Sequence, residues 1–157
     1  MHIERVNNAV PRRLVRNFTP VPMNANVSVA ERRVLELINA ERELFGYVPL
    51  VWDNRLALAA RDHANDMVRN NIRGHGGSDG STIADRARRH GIERIQTTEV
   101  IAWGSSDPVV LVNAWMDSPY TGHRFVLLTE ELRIAGVSIV QGRAVVKFGA
   151  VFEYDFE

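Results

Sequence analysis

The chain has 157 residues, a length typical of one globular domain that buries about two-thirds of the surface of its unfolded chain. Nineteen Lys and Arg balance 19 Asp and Glu, so the composition indicates neither a nucleic-acid partner nor an anionic membrane surface. Cysteine is absent, which excludes disulfides, zinc–thiolate sites and cysteine catalysis. No apolar run approaches the ~20 residues of a transmembrane segment, and residues 1–18 contain no secretory-signal pattern.

Residues 1–27 are predicted to form an extended N-terminal arm or linker, followed by one domain over residues 28–157. Three prolines disfavour both helix and sheet in the arm, at Pro11, Pro20 and Pro22. Three arginines form a small basic cluster there, at Arg12, Arg13 and Arg16. Two interpretations of the arm stay open: a solvated lead-in, or a segment that docks a partner or an anionic surface.

Helices dominate the first half of the chain. Ser28 and Glu31 form a capping-box pattern at the start of a helix that ends at Gly46. Asp53 is a plausible N-cap of a second helix, and His63 lies on its apolar stripe. A hydrogen-bonded core histidine is the favoured interpretation of His63, because buried polar groups are normally paired. A third, basic helix follows in "TIADRARRHG".

Strands dominate the second half. The β-branched stretch "ERIQTTEVIAW" is typical of a strand ending at Gly104, and Asp107 and Pro108 fit the start of a fourth helix. After a turn and a short helical piece, "RIAGVSIV" and "AVVKFGAVF" predict a hairpin joined at residues 141–143. The predicted fold class is therefore α+β, with a central antiparallel sheet covered by helices.

The glycine-rich loop "GHGGSDGST" matches two catalytic or binding patterns only superficially. Its Gly-x-Ser-x-Gly follows a helix, whereas a nucleophile elbow places the serine after a strand. It also lacks the Gly-Lys-Ser/Thr of a phosphate-binding loop. The glycines are thus predicted to shape a turn before the third helix, and no catalytic residue is assigned in the chain.

His75 in this loop, Glu99 in the strand and His123 in a second turn form a candidate metal site. Glu99 is the one carboxylate of an otherwise apolar and hydroxylic strand, where it needs a partner or a ligand. Two imidazoles and a carboxylate would suit Zn²⁺ with an open coordination position. Nothing in the spacing alone brings the three residues together.

The order of motifs resembles the bacterial, cysteine-free branch of the CAP superfamily (cysteine-rich secretory proteins, antigen 5 and pathogenesis-related 1, or SCP-like). The matching residues run through most of residues 28–152: Asn39, Arg42, Pro49-Leu50, Trp52-Asp53, Leu56, Ala60, His63-Ala64, Met67, His75, Asp79-Gly80-Ser81, Glu99-Val100-Ile101-Ala102, Ala114-Trp115-Met116, Ser118-Pro119, Gly122-His123-Arg124 and Leu128. The resemblance implies an α-β-α sandwich with a central cleft in a secreted or cell-envelope protein.

In the family the cleft is lined by two histidines and up to two acidic residues, and in several members it binds a divalent metal such as zinc. The resemblance assigns His75, Glu99 and His123 to three of these positions. The fourth position falls near Ser118, with Asp117 as its only acidic neighbour.

The chain departs from the family pattern near these residues. Val100 and Val126 stand where the family usually has asparagines, and Arg73-Gly74 replaces the usual serine. Residues 120–121 also lengthen one turn.

Three functions from different classes follow. The favoured one is an extracellular binding domain whose cleft holds a divalent metal or a small ligand without turnover. The second is a metal-dependent hydrolase with Glu99 as general base. The third is an interaction module with a vestigial cleft, whose contact surfaces are the basic arm and the third helix (Arg86, Arg88, Arg89 and His90).

Overall fold

The computed structural model describes residues 10–14, 18–118 and 122–155. Five helices occur in these ranges: α1 Val29–Leu44, α2 Asn54–Asn70, α3 Ile83–Arg89, α4 Pro108–Met116 and α5 His123–Leu127. Six strands accompany them: β1 Val10–Leu14, β2 Val51–Trp52, β3 Gln96–Trp103, β4 Ile134–Val140, β5 Arg143–Ala150 and β6 Phe152–Asp155. The mixture of elements confirms the α+β class.

The main sheet has four strands in the order β2-β4-β5-β3. The three long strands are antiparallel, as expected. The short β2 runs parallel to β4, which differs from the prediction of a purely antiparallel sheet. A parallel pair needs a long crossover, and the helices between β2 and β4 provide it.

The N-terminal arm contributes a strand of its own. β1 pairs antiparallel with β6 in a separate two-stranded sheet, although Pro11 lies within β1. The register shifts between Pro11 and Arg13, as expected because proline cannot donate a ladder hydrogen bond. The expectation that proline keeps the arm out of a sheet is thus wrong for residues 10–14, while the domain boundary at residue 28 stays a prediction.

Local signals set the ends of the elements. The Ser28 hydroxyl accepts from the Glu31 N–H at 3.0 Å and the Glu31 carboxylate accepts from the Ser28 N–H at 2.9 Å, which confirms the capping box. Asp107 caps α4, whose first residue is Pro108. The β4–β5 turn has positive φ at Gln141 (46°) and Gly142 (73°), the combination found in a type I′ hairpin.

Helices cover both faces of the main sheet. On one face, residues of α1 and α4 pack against Val100 of β3 and Val146 of β5. On the other face, Ala60, Ala64 and Met67 of α2 pack against the neighbouring strand residues, Ile101 and Val145. Successive strand residues point to opposite faces, so this division follows from the strand period. The resulting layers confirm the α-β-α sandwich.

Helix α2 approaches the sheet very closely at Gly136 of β4. A Cβ atom at this position would lie 2.1 Å from the Ala57 nitrogen and 2.6 Å from the Ala57 Cα. Only a residue without a side chain permits this separation. Gly136 therefore fixes the distance between α2 and the sheet face that carries Glu99.

Candidate functional site

Glu99 lies in the middle of β3 on the face that packs against α2 and α3. It shares the strand parity of Ile101, and its side chain is buried. In the β3–β5 ladder Glu99 stands directly opposite Lys147, which is also buried. The sheet register therefore brings two opposite charges together inside the protein.

Three donors surround the Glu99 carboxylate. Nη2 of Arg86 lies 3.1 Å from both Oε1 and Oε2, and Nζ of Lys147 lies 3.2 Å from Oε1. Nδ1 of His75 lies 2.8 Å from Oε2. His63 completes the group, with Nε2 at 3.9 Å from Oε2. We refer to His63, His75, Arg86, Glu99 and Lys147 as the Glu99 cluster.

The cluster keeps Glu99 ionised. Burial by itself would raise the pKa of Glu99, but the His75 hydrogen bond and the charges of Lys147 and Arg86 outweigh it and lower the pKa to about 2. Burial lowers the pKa of Lys147 to about 8, against the opposing effect of Glu99. A carboxylate with so low a pKa holds protons weakly, which makes Glu99 a poor general base near neutral pH.

His75 presents one ring nitrogen to Glu99 and leaves the other available. The carboxylate can only accept, so Nδ1 of His75 donates the proton, and Nε2 is the nitrogen that carries a lone pair in the neutral ring. The His75 side chain is 45% exposed. The loop glycines therefore place an oriented imidazole at the surface, above a buried carboxylate.

The loop that carries His75 is attached to the core by hydrogen bonds. Nε2 of His63 donates to the Gly74 carbonyl at 2.7 Å. Arg86 donates to the carbonyls of His75 (2.8 Å) and Ser81 (3.2 Å). His63 is fully buried, which confirms its prediction as a hydrogen-bonded core histidine, and burial lowers its pKa. The backbone on both sides of His75 is thus fixed.

His123 begins α5 and is partly buried. Burial lowers its pKa, and a charge on His75 lowers it further, so the two imidazoles lie within electrostatic range of each other. Within the described ranges no three His, Asp or Glu side chains are arranged to hold a metal ion. The structure brings Glu99 to His75, while the metal site of His75, Glu99 and His123 stays a prediction.

The two further candidate cleft residues lie at the end of α4. Asp117 is its exposed C-cap and Ser118 is partly buried. Their assignment to a cleft stays a prediction, and the lengthened turn at residues 120–121 lies outside the described residues. Val100 faces the α1 and α4 side of the sheet, so its side chain is on the opposite face from Glu99.

Sequence reasoning missed two members of the Glu99 cluster. The prediction that Arg86 belongs to a basic contact surface on α3 is wrong, because its side chain is buried against Glu99. The sequence prediction does not include Lys147, although it is the one charged residue in the interior of β5, whose other charge, Arg143, stands at the first position of the strand. A single charge in the interior of each of two neighbouring strands is the signal that indicates the pair.

The remaining basic residues of α3 are paired with carboxylates. Arg88 forms a surface ion pair with Asp85 and Arg89 one with Asp79 at 2.9 Å, while His90, the C-cap of α3, hydrogen-bonds Asp62 at 2.6 Å. Because these pairs neutralise the helix locally, α3 does not present a continuous basic face.

Residues 35–154 match the CAP family, described as the cysteine-rich secretory protein family. The chain belongs to the CAP family. The uncharacterized protein YkwD of Bacillus subtilis is 34% identical over 121 residues, which cover 77% of this chain and 46% of YkwD. This CAP chain therefore spans less than half the length of that relative.

Solved structures resemble this chain in fold. An extracellular protein of Bacillus anthracis that contains an SCP domain is 27% identical, with a TM-score of 0.74 over 82% of this chain and 44% of the other. An outer surface protein of Borrelia burgdorferi is similar in fold, with 21% identity and a TM-score of 0.71 over 85% of this chain and 99% of the other.

Among the residues that the structure describes, no helix has the length and apolar character needed to cross a membrane.

Proposed function

We propose that this CAP domain is an extracellular binding domain whose cleft beside His75 and His123 holds a divalent metal, with zinc as the candidate, or a small ligand, without turnover. The hydrogen bond between Nδ1 of His75 and Glu99 carries the proposal. Histidine ligands of metals characteristically donate their second ring N–H to a carboxylate or a carbonyl. His75 has this arrangement, with Nε2 left for the metal.

The donor set fits a site with two protein nitrogen ligands. Both Glu99 oxygens already accept from Arg86, Lys147 or His75, so Glu99 serves better as the residue that orients His75 than as a ligand. A metal held by His75 and His123 would offer open coordination positions to a small ligand, since zinc takes four ligands in proteins. Burial lowers the pKa of His123, which favours the neutral imidazole that binds metals.

The same geometry disfavours turnover by Glu99. A general base needs a pKa near the working pH, and the ion pairs of Glu99 hold its pKa at about 2. The hydrolase alternative would therefore need a different base. The interaction-module alternative loses support at α3, because Arg86 is buried and its neighbours are paired.

Calorimetric titration with Zn²⁺ tests the proposal. We expect one site in the wild type and at least a tenfold loss of affinity in His75→Ala and in His123→Ala. His90→Ala is the matched control, because His90 is a surface histidine paired with Asp62, and it should bind Zn²⁺ like the wild type. Equal heats in the wild type and in all three variants would overturn the metal site.

Export from the cell is part of the proposal. Its support is that the similar Bacillus anthracis protein is described as extracellular. Immunodetection in the medium and the cell-envelope fraction of the native host, beside a cytoplasmic marker protein, checks it. Recovery with the cytoplasmic marker alone would contradict it.

A further inference from the structure

A cavity of about 540 Å³ lies at the edge of the domain where α2, β3 and the β4–β5 turn end. This volume is in the range of pockets that bind small molecules. It is lined by residues including Asn71, Arg73, Trp103, Ser105, Gln141 and Arg143. None of His75, Glu99 and His123 lines it, so the cavity is separate from the proposed metal site.

Trp103 is the prominent surface of this cavity. The chain has three tryptophans, and the other two, Trp52 and Trp115, are buried in the core. Trp103 is 47% exposed. The guanidinium carbon of Arg73 lies 5.6 Å from its ring centroid, within the range of a cation–π contact. Part of a large apolar ring therefore faces water beside the positive charge of Arg73.

The cavity carries positive charge without a balancing carboxylate. Arg73 and Arg143 line it, and no Asp or Glu does. Across the described residues, the one polar or ring interaction of Arg73 is with the Trp103 ring, and that of Arg143 is a hydrogen bond to the Gln141 carbonyl, at 2.8 Å. Both guanidinium groups thus retain donors for an anion, and guanidinium pairs with carboxylate in a two-bond fork.

The backbone around the cavity is tied together before any ligand arrives. The N–H of Gly104 donates to the carbonyl of Gly142 at 2.9 Å, joining the end of β3 to the β4–β5 turn. Both glycines have positive φ, 100° and 73°, conformations that residues with a side chain rarely adopt. This hydrogen bond holds together the two segments that line the cavity, the end of β3 and the β4–β5 turn.

From this combination we infer that the cavity binds an acidic saccharide, a sugar that carries a carboxylate. The carboxylate pairs with Arg73 and Arg143, and the apolar face of the sugar ring lies against Trp103. The amide and hydroxyl side chains of Asn71, Gln141 and Ser105 match the hydroxyl groups of the ring. A neutral sugar lacks the group that both arginines would pair with.

Titration of trigalacturonate, with the intrinsic tryptophan fluorescence as the readout, tests this inference, because Trp103 is the exposed one of the three tryptophans. We expect a saturable change with trigalacturonate and none with the neutral trisaccharide maltotriose. Arg73→Gln and Arg143→Gln should each weaken binding at least tenfold, while Arg33→Gln, an exposed arginine paired with Glu36, should leave it unchanged. Trp103→Ala, followed by calorimetry, should also weaken binding. Thermal unfolding of each variant verifies that it is folded.

Four results would overturn the inference. They are the absence of a saturable change below about 10 mM trigalacturonate, equal affinity for maltotriose, tighter binding of a nucleoside monophosphate than of trigalacturonate, and an equal loss in Arg33→Gln. EDTA treatment should not alter binding. If EDTA leaves the affinity for trigalacturonate unchanged, this site does not depend on a bound metal. The saccharide proposal and the metal proposal can then fail separately.

Discussion

Lys147 and Glu99 face each other across β5 and β3 with Nζ 3.2 Å from Oε1, and neither side chain is exposed to solvent. Arg86 adds a second buried cation to the same carboxylate. Two cations thus share one anion, so the loss of Glu99 and the loss of Lys147 have different consequences. Removing the anion leaves both cations without their counter-ion, whereas removing Lys147 leaves Glu99 paired with Arg86.

We therefore expect Glu99→Gln to cost more stability than Lys147→Met. Loss of one partner from a buried ion pair typically costs about 3–5 kcal/mol. Lys147→Met loses its hydrogen bond to the Ile83 carbonyl but relieves the burial of a charge, so we expect a cost below about 2 kcal/mol. Urea unfolding measures both, and the double variant should be more stable than Glu99→Gln alone. Equal costs for the two single variants would contradict this ordering.

Acid should unfold the protein partly through Glu99. The pKa of Glu99 lies at about 2 in the folded protein and at its ordinary 4.5 in the unfolded chain. The stabilisation is therefore fully present above pH 4.5 and is lost as the pH falls towards 2, with a size of about 3 kcal/mol. The free energy of unfolding measured across this window should fall less steeply in Glu99→Gln than in the wild type. Parallel curves would contradict the low pKa.

Raising the pH should increase the free energy of unfolding through the deprotonation of Lys147. Its pKa is about 8 in the folded protein against an ordinary 10.5, so the unfolded chain binds more protons between these values. Stability attributable to this group therefore rises with pH from about 8 to 10.5. The difference in unfolding free energy between the wild type and Lys147→Met, measured at pH 7.5 and pH 10, should shift in favour of the wild type at pH 10. No shift would contradict the prediction.

Gly136→Ala should separate α2 from the sheet. The new Cβ would meet the backbone of Ala57 at 2.1 Å, and backbone cannot rotate away as a side chain can. Overpacking of this kind costs about 1–3 kcal/mol, and the contact with backbone favours the upper end. Gly76→Ala is the control, because a Cβ there has nothing within 4 Å. Thermal unfolding should show a large loss for Gly136→Ala only.

Arg42→Lys should destabilise the protein although it keeps the charge. The buried guanidinium of Arg42 donates to four carbonyls that link α1 to the segments after it, those of Val48, Leu127, Thr129 and Leu132. An ammonium group cannot reach this set, and each buried carbonyl left unpaired costs about 1–3 kcal/mol. Urea unfolding of Arg42→Lys beside the exposed Arg33→Lys checks the prediction, and similar midpoints would contradict it.

The parts of the fold that the sequence predicts are those decided by neighbouring residues. Helix caps such as Ser28 with Glu31, and the Gln141-Gly142 turn, involve groups a few positions apart. The parallel β2 strand has two residues and pairs with Ile134 and Ala135, far along the chain, so no local pattern reveals it.

The candidate site, too, is predicted by the sequence only in part. The lone carboxylate of Glu99 signals a need for a partner, because burying an unpaired charge is costly. The identity of that partner depends on the β3–β5 register and on which side of α3 faces inward. Arg86, like Arg88 and Arg89, is an arginine of the short helix α3, so the sequence does not distinguish them. Only tertiary packing buries Arg86 and leaves the other two exposed.

Arg86 holds the backbone at His75 and again at Ser81, so both ends of the intervening segment are attached to one buried side chain. The residues between these two anchors contribute little to the core, since most of them are exposed. A foreign peptide grafted between residues 76 and 80 should therefore be displayed without moving the imidazole at position 75. Residues 76–80 are thus an insertion site in this domain, and both of its ends are held by the buried side chain of Arg86.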